Sequence, residues 1–252
     1  MTLLLGLIFI FVIFYLITYN TRTETMDTIP KTQRRQGLIY TNPKTIYKLY
    51  KMIYTVTRIL EIYNIQYWMD GGTLLGAVRH KGIIPWDEDA DFEIFDSEEE
   101  KMKLIYNPLE RFGYKMMATW WGFKIFPVDG APIKGYKWKY PGLDIFVMEI
   151  TKDKNDEDII QYKYPMAKKI FGRCSLYYKD FYPLQDYKFG SFSLKGPLST
   201  KRYLDNCYDT DWYDVAYMLY DHEHEKPYKK IKIKLTDEDR QPAKPFYIAG
   251  NK

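Results

Sequence analysis

The sequence predicts an α+β fold: a mixed β-sheet flanked by helices, preceded by one N-terminal transmembrane helix. Three observations predict it. Residues 2–21 carry no charge, and residues 3–16 are almost wholly aliphatic or aromatic. Between Asn42 and Tyr63, apolar residues recur at helical spacing. In residues 67–95, YWMDGGTLLGAVRHKGIIPWDEDADFEIF, a short apolar run passes through a glycine turn and a helical segment into a period of two.

The uncharged N-terminus is long enough to cross a bilayer, since twenty residues at about 1.5 Å each reach about 30 Å. It lacks the basic start and the small-x-small cleavage site of a signal peptide, so a signal anchor is expected over residues 1–21. Residues 22–40 read as a polar stem containing Arg22, Lys31, Arg34 and Arg35. The basic stem by itself favours a cytoplasmic domain. Residues 41–225 then form one domain large enough to bury a core, and residues 226–252 read as a basic, weakly ordered tail.

The composition narrows the function. Hydrophobic residues make up 46% of the 252-residue chain and aromatic residues 18%, which excludes a disordered protein. The net charge of +4 is spread among acids rather than gathered into a stripe, so no nucleic-acid partner is expected. Cys174 and Cys207, the only cysteines, cannot make a four-cysteine zinc site. One disulfide and two unpaired, buried thiols both fit.

Asn42-Pro43 is an N-cap and N1 pair opening the long helix. Its stripe of Ile46, Leu49, Tyr50, Ile53, Val56, Leu60 and Tyr63 is assigned to covering the sheet. Residues 65–69 are a short buried strand. Gly71 and Gly72 follow as a turn where the backbone approaches a ligand, and residues 73–81 as a short helix that Gly82 stops. After Pro85, Asp87, Asp89, Asp91 and Glu93 alternate with Ala90, Phe92 and Ile94, so a strand carries its carboxylates on one face. Neighbours on that face lie roughly 6.5–7 Å apart, from a rise of about 3.3 Å per residue. Carboxylates so close repel one another and raise each other's pKa. Mg²⁺ or Mn²⁺, hard cations that take oxygen ligands and phosphates, would remove the conflict. Amides of the glycine turn, at the start of a helix, would face a phosphate.

The stretch GGTLLGAVRHKGIIPWDEDAD resembles the signature of the LicD/fukutin family, within the nucleotidyltransferase-fold superfamily. That resemblance implies a nucleotidyltransferase-like sheet. It also implies a phosphotransferase that moves a phospho-alcohol, of the ribitol phosphate or phosphocholine type, from a CDP-linked donor to a glycan hydroxyl. In that reading Asp89 and Asp91 hold the metal, with Asp87 as an outer ligand. Gly71, Gly72 and Thr73 contact phosphate, and Arg79 is a candidate clamp for it. The resemblance further implies a type II protein of ER- or Golgi-like membranes with a lumenal domain, against the orientation favoured by the stem. Two other functions stay open: transfer of a nucleoside monophosphate, and glycan binding by an inactive, membrane-anchored protein of the same fold.

Further along, Ser97 and Glu100 form a capping box for a helix ending at Gly113, with Pro108 as a kink or early end. Residues 114–128 read as two strands broken at Gly122. Residues 143–148 are an apolar strand with one acid, and a buried, unpaired carboxylate costs several kcal/mol, so Asp144 needs a partner. Its position matches the third acid of the superfamily pattern, as metal ligand or as base. Residues 165–171 read as a short helix. His222 and His224 read as surface residues, for no third ligand follows them at a telling spacing. Where the family shows Tyr-Gly or Phe-Gly after a C-terminal helix, this chain has Tyr208-Asp209.

Overall fold

The computed structural model describes residues 34–35 and 38–244. Helix α1 (Pro43–Ile62) starts as expected: the Asn42 side chain accepts from the Lys44 N–H at 2.8 Å, and Pro43 occupies the first turn. Its stripe of Ile46, Leu49, Tyr50, Ile53, Val56 and Leu60 is buried. Next come strand β1 (Trp68–Met69) and helix α2 (Gly71–Leu75), which widens into a π-helical turn over Gly76–His80. Lys81, at φ +63°, ends that segment instead of Gly82. Gly82 serves close packing: a Cβ there would collide with the Tyr50 hydroxyl, which accepts from the Ile83 N–H at 2.9 Å.

Strand β2 (Asp89–Phe95) carries the acids. The helix expected after it is a 3₁₀ segment (Asp96–Ile105) followed by α3 (Tyr106–Arg111), and no side chain caps the 3₁₀ segment. The Ser97–Glu100 capping box is therefore corrected. Gly113, at φ +81°, turns the chain into β3 (Tyr114–Ala118) and β4 (Gly122–Pro127). Strand β5 (Gly142–Lys152) is the longest, and β6 (Asp158–Tyr162), α4 (Pro165–Phe171) and β7 (Leu176–Tyr177) follow. The hairpin β8 (Gln185–Phe189) with β9 (Phe192–Gly196) precedes α5 (Lys201–Tyr208). Strands β10 (Val215–Asp221) and β11 (Lys226–Lys234) form a last hairpin, which corrects the expectation of a weakly ordered tail at its start.

The main sheet has seven strands, ordered β7-β6-β5-β2-β1, with β4 also pairing with β5 and β3 with β4. Only β2 and β5 run parallel, and their register sets Asp91 opposite Asp144. Strand β4, antiparallel to β5, sets Lys124 opposite the same aspartate. Because side chains alternate across a sheet, Asp89, Asp91, Glu93, Asp144 and Lys124 share one face. The other face carries Phe92, Ile94, Leu143, Ile145 and Val147, all buried, and α1 packs against β2 and β5.

The fold is α+β, and the transmembrane helix expected from the sequence is not among its described elements. Among the described residues no helix is long and apolar enough to cross a membrane. Residues 1–21, where the signal anchor was expected, lie outside the described residues. The single-pass membrane placement with a lumenal domain, inferred from that segment and from the resemblance, is corrected accordingly.

Candidate active site

Three carboxylates meet on the polar face of the sheet. One oxygen each from Asp89, Asp91 and Asp144 lies within 4.8 Å of the others. Strand β2 supplies the first two at i and i+2, and the parallel register of β5 brings the third alongside. They line a cavity of about 430 Å³ whose wall also includes Gly71, Gly72, Arg79, Asp87, Tyr208 and His222.

The glycine turn is shaped by these acids. Gly71 sits at φ +48°, and a Cβ there would lie 3.0 Å from Asp91 Oδ2. A Cβ on Gly72 would lie 2.7 Å from Asp87 Oδ2, closer than real contacts allow. A side chain at either position would push into the carboxylates. The Gly71 N–H donates to the Tyr203 hydroxyl at 3.0 Å. That hydroxyl in turn donates to Asp70, which also accepts from the Tyr162 hydroxyl at 3.1 Å. Thr73 ties the turn to the strand, its Oγ1 accepting from the Asp91 N–H at 2.8 Å. The Arg79 guanidinium lines the cavity while donating to the carbonyls of Trp212 and Val215, which fastens the segment before and into β10 onto the π-helical turn. Burial lowers its pKa to about 10.

The electrostatics are uneven. Burial, followed by the charge of Asp89, holds Asp87 and Asp91 well above the usual carboxylate range. Burial also raises Glu93 and its neighbour Asp70 beneath the turn, where Glu93 accepts from the Trp68 indole. Asp144 is compensated by the protein: Lys124 Nζ lies 2.7 Å from Oδ2, and the Trp121 indole N–H donates to Oδ1 at 3.0 Å. Lys124 is only 5% exposed, so this is a buried ion pair, and it supplies the partner that Asp144 needs. Asp89 has a different neighbour. His222 Nδ1, carried by the β10–β11 hairpin, lies 3.2 Å from Asp89 Oδ2, and the His222 N–H donates to Glu88 at 3.0 Å.

A set of hard oxygen donors at this spacing, in which burial lifts the Asp91 and Asp144 carboxyls above their ordinary range, fits a divalent cation. His224, in contrast, stays at the surface, paired with Asp221 at 3.0 Å. Cys174 and Cys207 form a disulfide that joins the turn after α4 to α5 beside the cavity.

Several site residues escaped the sequence reading. Asp70 stands directly before the glycines, and Lys124 is a lone cation in the apolar run Phe123-Lys124-Ile125-Phe126. Both carried a usable signal, since a charge in such a setting needs a partner. Tyr203 and Tyr208 lie in the helix segment noted near the C-terminus, and His222, read as a surface residue, instead reaches Asp89, a contact that no neighbouring residue announces.

Residues 64–199 match LicD/FKTN/FKRP, nucleotidyltransferase domain. The chain belongs to that family. Among relatives, an uncharacterized protein of Rickettsia typhi is 32% identical over 208 residues, covering 81% of this chain and 60% of the relative. Human ribitol 5-phosphate transferase FKRP is 52% identical over 40 residues, 16% of this chain and 8% of that protein. Lipopolysaccharide cholinephosphotransferase LicD of Haemophilus influenzae is 61% identical over 33 residues, 13% of this chain and 12% of that protein. This LicD-family chain thus spans less than two thirds of these relatives' length.

Proposed function

We propose that the protein is a divalent-metal-dependent phosphotransferase, moving a phospho-alcohol from a CDP-linked donor to a glycan hydroxyl. The observation that carries this reading is the convergence of Asp89, Asp91 and Asp144 oxygens within 4.8 Å of one another, against a glycine turn. Support for the transferred group comes from the similarity to a ribitol 5-phosphate transferase and a cholinephosphotransferase. Ribitol phosphate and phosphocholine are the leading candidates.

Asp89, Asp91 and Asp144 would hold Mg²⁺ or Mn²⁺, with Asp87 as an outer group. When bound, the ion neutralises charge developing on a pyrophosphate. The chain's own residues prepare the rest. Gly71 and Gly72, lacking side chains, let a diphosphate approach the backbone, and Tyr203 and Thr73 hold that turn in register with β2. Lys124 holds the Asp144 carboxylate in the cavity wall and offsets part of the upward push of its burial. The acceptor hydroxyl attacks the β-phosphorus, and a new P–O bond forms as the bridging P–O bond breaks. CMP leaves with the electron pair, and the acceptor proton passes to a site carboxylate.

The test is calorimetry of CDP-ribitol, CDP-choline and CDP-glycerol against the full-length protein, with Mn²⁺ and with EDTA. Binding that needs the metal and is lost in Asp91→Asn is expected. Binding indifferent to both would overturn the mechanism. Product analysis completes it: this transfer releases CMP, whereas nucleotidyl transfer releases pyrophosphate.

A further inference from the structure

An aromatic rim leaves the acid trio at Asp144 and returns to it at Asp89. The Trp121 indole bonded to Asp144 stacks edge-on against Trp120 at 4.8 Å and Trp138 at 6.0 Å between ring centres. Trp138 meets Tyr136 at 4.6 Å, and its indole N–H donates to Glu225 Oε1 at 2.9 Å. The other Glu225 oxygen accepts from the Tyr220 hydroxyl at 3.2 Å. Tyr220, which lines the cavity, packs 4.9 Å from the His222 ring, and His222 closes the circuit on Asp89.

Three of these rings face solvent although each is large and apolar. Trp120 is 46% exposed, Tyr136 42% and Tyr220 39%. Grouped exposed aromatics of this kind mark ligand-binding surfaces more than solvated ones. This group has polar atoms at its centre. Glu225 is held by two aromatic donors in a left-handed backbone conformation, φ +51°, and each of its oxygens keeps a second lone pair to offer a hydroxyl.

We infer that this rim is the acceptor subsite and that its ligand is a sugar ring. A pyranose has one face made mainly of C–H groups, which packs against the electron-rich face of Trp or Tyr, and an edge of hydroxyls. The rim supplies both surfaces at once: exposed indole and phenol rings for the C–H face, and Glu225 for the hydroxyls. Tyr220 and His222 of the rim line the cavity that holds the acid trio, and Trp121 reaches Asp144 through its indole N–H, so a sugar on the rim lies beside that cavity. A flat apolar partner would have no use for the centrally held Glu225, and a phosphate would be repelled by it. The inference rests on the transferase reading for the identity of the acceptor, but its binding test does not require turnover.

The full-length protein is first applied to an array of defined oligosaccharides without nucleotide or metal. The Kd of the best-retained glycan is then measured by calorimetry for the unchanged protein, Trp120→Ala, Tyr136→Ala and Trp120→Phe. A retained glycan whose Kd rises about tenfold in each alanine variant, and recovers to within about threefold in Trp120→Phe, is the expected result. No glycan held at millimolar concentration, or one whose Kd ignores all three substitutions, would overturn the assignment. So would a monomer–dimer equilibrium in sedimentation that Trp120→Ala abolishes, since the rim would then be a contact between copies. Because Trp120 and Tyr136 are exposed, folding is not at risk, and circular dichroism verifies it. Failure here with intact Mn²⁺-dependent binding of the CDP donors overturns the acceptor rim alone. The converse pattern overturns the donor reading alone.

Discussion

Asp91 and Asp144 are opposite one another in register on parallel strands, yet the protein treats their charges differently. Asp144 has a buried lysine at 2.7 Å and an indole N–H at 3.0 Å. Among the described residues no cation pairs with Asp91, and burial with the charges of Asp89 and Asp144 pushes its carboxyl well up. Compensating one acid internally keeps the cluster from unfolding the sheet. Leaving the other uncompensated keeps an attraction for an external cation. A structural acid cluster would neutralise both.

Asp91→Asn removes the uncompensated carboxylate and has the largest expected effect. It is expected to lower kcat/KM by more than about 10³-fold, at least about 4 kcal/mol of transition-state stabilisation. In metal-free buffer the same variant is expected to melt higher than the unchanged protein, because one source of repulsion is gone. Mn²⁺ would raise the melting temperature of the unchanged protein and leave the variant where it was. A metal-free variant that melts lower would mean that Asp91 is stabilised by contacts other than a cation.

Lys124→Met tests the other side. It strands a buried carboxylate and is expected to cost about 3 kcal/mol in urea unfolding, the lower end for a broken buried pair. Adding Asp144→Leu should recover most of that loss. Equal instability in the single and double variants would show that Lys124 matters for packing and not for charge.

A buried base gives a third, smaller effect. His80 is 1% exposed and its Nδ1 accepts from Arg79 Nε at 3.3 Å, so that nitrogen carries no proton. Burial and the Arg79 charge lower its pKa to about 3. The unfolded chain takes up this proton below about pH 6.5 and the folded protein does not, so stability falls as pH drops from there towards 3. At pH 5 the loss from this group is about 2 kcal/mol, from roughly 1.5 pH units at 1.36 kcal/mol each. His80→Gln should flatten that part of the stability profile; an unchanged slope would trace the acid sensitivity to the carboxylates.

The smallest effect is at Asp209, the residue that ends α5. Its backbone lies at φ +64° and ψ 167°, a region open to glycine and costly for other residues. Its pair with Arg173 at 2.9 Å is more than half exposed on both sides and worth little. Asp209→Gly is expected to stabilise by about 1 kcal/mol in chemical denaturation. Destabilisation instead would show that the ion pair outweighs the strain.

The acid strand was legible because its two-residue period is a local property. The same holds for α1, with its Asn42-Pro43 start and apolar stripe, and for the β3–β4 break at Gly122. The 3₁₀ segment over Asp96–Ile105 was not, since Ser97 and Glu100 form a capping motif that the packed structure leaves unused. His222 was read as surface because nothing near it in sequence announces Asp89. Strand β11 was read as tail because its lysines hide a pairing partner visible only in the folded hairpin.

The residue types available, and the starts of elements such as α1 and the acid strand, can be read from the letters alone. Glycine conformations, capping pairs and side-chain alternation depend on a few neighbouring residues, so they are written in neighbouring letters. Which strands run side by side depends on packing across the whole domain. The parallel register that brings Asp144 to Asp91, the lysine that compensates one of them, and the hairpin that delivers His222, Tyr220 and Glu225 all join residues far apart in the chain. Such contacts form because burying the apolar face under α1 compensates for ordering the chain between them, an energy that belongs to the packed whole.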